Sequence, residues 1–98
     1  MKMWRQGDVL IMEAKRPREP LPRATSKVLV YGEATGHAHR VESDTAIIYG
    51  QGDVREIEAP HGFKVVHEEH DAIEIPEGYY RVRRQREYDE KEIRYVAD

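Results

Sequence analysis

Four of the five histidines lie in two short strings. His37 and His39 sit in "GHAHRVE", and His67 and His70 in "KVVHEEHDAIEI". Alternate residues of an extended chain point the same way, roughly 6.6 Å apart along the backbone. His37, His39 and Val41 therefore share one face, and the apolar Val41 marks that face as interior. In the second string Phe63, Val65, His67, Glu69, Ile73 and Ile75 fall on odd positions, which turns His67 and Glu69 inward. His70 has the opposite parity and reaches the same side only if "HEEHD" bends or bulges. Imidazoles gathered in a β interior must stay neutral and satisfy both ring nitrogens. A divalent metal does this directly, since neutral imidazole is a good ligand for first-row ions.

The chain has no cysteine, so disulfides, thiolate metal sites and cysteine nucleophiles are excluded. The expected cofactor is one divalent first-row transition ion (Zn, Mn, Fe or Ni), held by His37, His39 and His67 and completed by His70 or Glu69. Three protein ligands plus water is the common catalytic arrangement. Glu69 is the candidate general base, and Arg40, Arg81 or Arg84 the candidate for steadying transition-state charge, in a metal-dependent hydrolase acting on a phosphodiester or small molecule. His61, between Pro60 and Gly62, reads as a turn residue.

Around these residues the sequence resembles the cupins, small β-barrel proteins with a metal in a nest of histidines. "GHAH" supplies the glycine and the His-x-His pair, and "PEG" supplies Pro76 and Gly78 of a Pro-x-Gly turn. The likeness covers about a third of the chain and departs at two places. Glu42 comes one residue early, and Arg81 stands where the last cupin histidine would follow the turn. The resemblance implies a barrel, a first-row metal and often a dimer.

A second constellation is "YYRVRRQREY" (79–88), with Arg81, Arg83, Arg84 and Arg86 among Tyr79, Tyr80 and Tyr88. Arginines beside aromatic platforms suit single-stranded nucleic acid. The alternative function is thus a nucleic-acid or anion-binding module using Arg81, Arg83, Arg84, Arg86 and Tyr80. Cross-strand ion pairing with the acidic middle of the chain is the plainer reading of the same arginines.

The elements that must position these groups are strands. "DVLIMEA", "KVLVY", "HAHRVE", "TAIIYG", "VREIEA", "FKVVHEEHDAIEI", "YYRVRRQREY" and "EIRYVA" are separated by Gly-, Pro- and Asp-containing turns every 8–12 residues. Only "YDEKEI" hints at a helical turn, and "KRPREPLPRATS" (15–26) reads as an extended Pro/Arg-rich loop. The expectation is one all-β domain over residues 1–98, a barrel or sandwich of about 8 short, mostly antiparallel strands. "QGDVLIMEA" (6–14) and "QGDVREIEA" (51–59) share six of nine residues, either a relic of duplication or a coincidence of turn chemistry.

Net charge is −3, unevenly spread: residues 1–41 carry +4, 42–78 carry −8 and 79–98 carry +1. That pattern argues against a surface coated uniformly for nucleic acid. "MKMWRQGD" turns polar too soon for a signal peptide, and no apolar run approaches membrane-spanning length, so a cytoplasmic location is expected. Two-sided apolar strands such as "VLIM" and "AIIY" suggest a homodimer. The third functional reading is a structural subunit whose histidines are merely hydrogen-bonded.

Overall fold

Val, Ile, Tyr and Phe fill the apolar runs, and such side chains pack well on a pleated surface. In a computed structural model, which describes residues 2–31, 36–52 and 54–84, these runs form the described strands. They are β1 (Met3–Gln6), β2 (Val9–Glu13), β3 (Val28–Tyr31), β4 (Ala38–Glu42), β5 (Ile47–Gln51), β6 (Val54–Ala59), β7 (Phe63–Val66), β8 (Ile73–Ile75) and β9 (Gly78–Arg84). A five-stranded sheet has the order β1-β2-β9-β6-β5, and a four-stranded sheet the order β3-β4-β7-β8. Every strand pairing is antiparallel. The two sheets are separate, so of the two expected architectures the sandwich is the one observed.

Alternation sets the core. Val9 and Ile11 of β2, Ile57 and Ala59 of β6, and Tyr80 and Val82 of β9 turn inward from the larger sheet. Leu29, Val41, Phe63, Val65 and Ile75 meet them from the smaller one. Burying this apolar surface is the main drive for the two sheets to close on each other.

The sequence reading gave "FKVVHEEHDAIEI" as one segment, but it is β7 and β8 joined by a bend at Glu68–His70. Consecutive charged residues have no apolar partner to continue the ladder, and the bend lets β7 and β8 pair as a hairpin with Val65 opposite Ile73. β1 was not anticipated. It is a short edge strand joined to β2 by the two-residue turn Gly7–Asp8, with Gln6 opposite Val9. Gly7 has φ 57°, the left-handed geometry that a two-residue hairpin opening on glycine requires. The Pro/Arg-rich loop is irregular apart from one stretch alongside β5. There Ala24 N–H donates to Ile48 O at 2.8 Å, and Gly50 N–H donates to Pro22 O at 2.8 Å. These bonds shield an edge that would otherwise expose its backbone. "YDEKEI", "EIRYVA" and Arg86 lie outside the described residues.

Ile57 has no exposed surface and faces the opposite sheet. Ile57→Ala should cost about 2–5 kcal/mol, read as a lower urea midpoint with an unchanged slope.

Candidate functional site

Antiparallel pairing puts Arg40 of β4 opposite Val66 of β7, so the residue before one and the residue after the other meet at the same end of the small sheet. Those residues are His39 and His67, whose ring centroids lie 4.3 Å apart. The bend after His67 brings His70 round, with its ring 4.6 Å from His67 and stacked on His39 at 5.9 Å. His37 lies 5.6 Å from His67. All four histidines from the two strings are thus gathered at one end of the sandwich.

From the larger sheet, the β1–β2 turn reaches the same place. Gln6, 3% exposed, donates through Nε2 to Val65 O at 3.0 Å and Asp71 O at 2.9 Å. Those two bonds fix the amide, because a flipped amide would set its oxygen against two carbonyls. Gln6 Oε1 therefore accepts from His39 Nδ1–H at 2.8 Å. In the neutral ring the hydrogen is then on Nδ1, and Nε2 keeps its lone pair. Nε2 faces Asp8 Oδ1 at 3.6 Å, while Asp8 Oδ2 accepts from Arg84 Nε–H at 2.9 Å. Gly7 completes the turn's part. A methyl added there would lie 2.6 Å from His70 Nε2, so only glycine leaves room for that ring.

Burial drives the His39 pKa down to about 4, with the neighbouring His67 adding to the effect and Asp8 opposing it. His67 is also lowered, by burial first and by His70 second. Its Nδ1 accepts from Glu69 N–H at 3.0 Å and His70 N–H at 3.3 Å. In this arrangement His67 Nε2 carries the hydrogen. Two carboxylates clamp the bend, one to β4 and one to His37 just before it. Glu68 accepts from Ala38 N–H at 2.8 Å and from Arg40 at 2.9 Å. These bonds, the Ala38 amide foremost, pull its pKa down to about 2. Glu69 Oε1 lies 2.6 Å from His37 Nδ1.

Several expectations change with the geometry. Arg40 lies on the outer side of β4, paired with Glu68, and faces away from the imidazoles. Its even parity against His39 had already set that direction. Glu69 is in the bend, where strand parity no longer holds, and its side chain is 65% exposed at the rim beside His37. Tyr80 is a core residue packed edge-on against Trp4 and Phe63, with its hydroxyl donating to Pro76 O at 2.7 Å, so it offers no ring to a base. Arg81 and Arg83 point outward, with Arg81 3.6 Å from the buried Glu56, whereas Arg84 turns inward to Asp8. Gln6 and Asp8 were the residues that sequence reasoning missed. Their signal was the "QGD" string, read only as turn chemistry because nothing local says that the turn at 6–8 faces histidines.

Among the described residues, no three His, Asp or Glu groups already stand at the mutual spacing of one ion's ligands. The built part is the facing pair His39 Nε2 and Asp8 Oδ1. No helix among the described residues is long and apolar enough to cross a membrane.

Fold and site together define a small two-sheet β-sandwich with a histidine–carboxylate cluster closing one end. A family model described as Domain of unknown function (DUF8820) matches residues 5–85, and the chain belongs to that family. The matched span runs from before Gln6 to beyond Arg84, so it contains every residue of the cluster. No curated protein and no solved structure matches the chain.

Two outcomes test the geometry. Because the folded-state pKa of His39 lies below that of the unfolded chain, the unfolded state takes up the proton first. The contribution is therefore complete above about pH 6.5 and is lost as pH falls towards 4, with a span of roughly 3 kcal/mol. Urea unfolding of the metal-free protein between pH 7 and 4.5 should show this loss, with His67 adding in the same direction, and His39→Asn should reduce it. Gly7→Ala should displace His70 and strain the turn, read as a changed His70 imidazole NMR shift and a lower melting temperature.

Proposed function

We propose that the cluster binds one divalent first-row transition ion, with His39 Nε2 and Asp8 Oδ1 as its anchoring ligands. The observation that carries this reading is His39 Nε2 facing Asp8 Oδ1 at 3.6 Å while the other ring nitrogen, Nδ1, is engaged by Gln6 Oε1. That separation is too long for a hydrogen bond. It suits two ligands each about 2.1 Å from a shared ion, at an angle of about 118°. The Gln6 bond to His39 Nδ1–H is the kind of outer contact that orients metal-bound imidazoles and raises their basicity.

His70 and His67 complete the set by turning about their side-chain torsions, His67 exchanging its two backbone hydrogen bonds for the ion. Their ring-centroid distances, 4.3 to 5.9 Å across the cluster, are those of imidazoles able to share one centre. His37 stands at the rim, held against Glu69, and serves as a further ligand or as a cover over the site. Nitrogen and oxygen donors without sulfur favour Zn, Mn, Fe or Ni. Four protein ligands leave a position for water or substrate on an ion that takes five or six, as Mn, Fe and Ni do, and that is the arrangement of a hydrolytic or small-molecule-binding centre. With Tyr80 in the core and Arg84 turned to the cluster, the arginines of β9 support the nucleic-acid reading less well than the histidines support this one.

Elemental analysis of untagged protein should find about one equivalent of metal, and a chelator should remove it. Re-addition should raise the melting temperature in proportion to the logarithm of free ion. His39→Ala should abolish uptake, whereas His61→Ala, in the turn at the far end of β7, should leave it intact. Wild-type protein that neither holds nor takes up a divalent ion would end the proposal.

A further inference from the structure

We infer that the Pro/Arg-rich loop of one copy of the chain docks in a groove of a second copy, joining the two head to tail. The groove, of about 560 Å³, opens at the Glu42 end of β4, the end opposite His39 and the histidine cluster. Phe63 and Ile75, paired in register, give it an apolar lining, and Glu42, Asp44 and Glu74 stand exposed around it. Lys64 lies between Glu42 and Glu74 in the ladder, one cation among three carboxylates. Among the described residues no ion pair uses Glu42, Asp44 or Glu74, in contrast to Glu56, Glu58 and Glu68.

Complementarity identifies the occupant. The loop carries Lys15, Arg16, Arg18 and Arg23 against Glu19. Arg16 is engaged by Glu58, whereas Arg18 and Arg23 are exposed and enter no ion pair among the described residues. Between them Leu21, flanked by Pro20 and Pro22, is 37% exposed. An apolar side chain framed by arginines matches an apolar groove framed by carboxylates, and the prolines reduce the freedom lost when the loop is fixed. A chain's own loop is directed away from its own groove. Pro22 O accepts from Gly50 N–H and Ala24 N–H donates to Ile48 O, so the loop runs antiparallel to β5. Its tip, residues 18–21, therefore lies towards the Gln51 end of that strand, while Asp44 leads into the Ile47 end. Surfaces at opposite ends of one chain meet between copies. Such a contact is heterologous, and it builds a ring or an open chain.

Sedimentation equilibrium of the full chain, from about 10 μM to about 1 mM, tests this. At low salt the average mass should rise with concentration. It should fall back towards the monomer in about 1 M salt, where the Debye length is about 3 Å. Asp44→Lys with Glu74→Lys reverses the groove, and Arg18→Glu with Arg23→Glu reverses the loop, all at exposed positions. Each pair of changes should weaken self-association about ten-fold or more. Mixed in equal amounts, the two variants should associate again, because each supplies the charge that the other's reversed surface now needs. A melting curve shows that a variant is folded, and either one alone carries the comparison with wild type if the other is not. Wild-type protein that stays monomeric at low salt means that the occupant is not a second copy, and it overturns the inference. Association that survives both reversals, or folded variants that do not recombine on mixing, assigns the contact to another surface and overturns it equally.

Discussion

The site depends on one side-chain amide. Gln6 belongs to an edge strand of the larger sheet, yet its amide nitrogen is bonded to Val65 O and Asp71 O beside the bend that carries His67 and His70. Its oxygen takes the hydrogen of His39 on the smaller sheet. A buried amide with every polar atom engaged is far more constrained than one that can turn to water, because each lost bond exposes an uncompensated dipole in an apolar setting. The same residue thus joins the sheets and decides which imidazole nitrogen keeps its lone pair.

Around that amide the cluster is assembled from opposed requirements. Burial and mutual proximity hold His39 and His67 neutral. The carboxylates of the bend are directed elsewhere, Glu68 to a backbone amide and Arg40, and Glu69 to His37. Asp8 alone is placed against the buried lone pair, with its second oxygen on Arg84. All three residues of the β1–β2 turn region take part: Gln6 orients a ring, Gly7 makes space for another, and Asp8 faces the first.

The chain alone discloses part of the fold and part of the site. Alternation alone identified the inward faces of β4 and β7, since Val41 and Val65 fall in step with inward neighbours two positions away, but it set no inward face for β2 or β9, where Tyr80, offered to nucleic acid, is a core residue. It also brought His39 and His67 to a common interior, and it left His70 conditional on a bend, which the structure contains. The same rule failed for Glu69, because parity ends where the strand does. Arg40 was proposed for the site on its chemistry although its own parity directed it outward. Gln6 and Asp8 could not be found from periodicity. Their contacts cross from one sheet to the other, and a sequence pattern does not say which turn meets which strand end. The echoed "QGD" at 51–53 makes the point, since Gly52 has the same left-handed backbone but open space where Gly7 has His70.

Ion pairing across strands has an effect at longer range. Among the described residues, three ion pairs join the acidic middle of the chain to its basic flanks. Glu58 meets Arg16, Glu68 meets Arg40 and Glu56 meets Arg81, so carboxylates from one stretch are matched locally by cations from another. Alternating charges a few ångströms apart cancel within a Debye length, which is about 8 Å in physiological salt. Where such pairs stand, a charged molecule diffusing past feels little guidance from them until it is almost in contact.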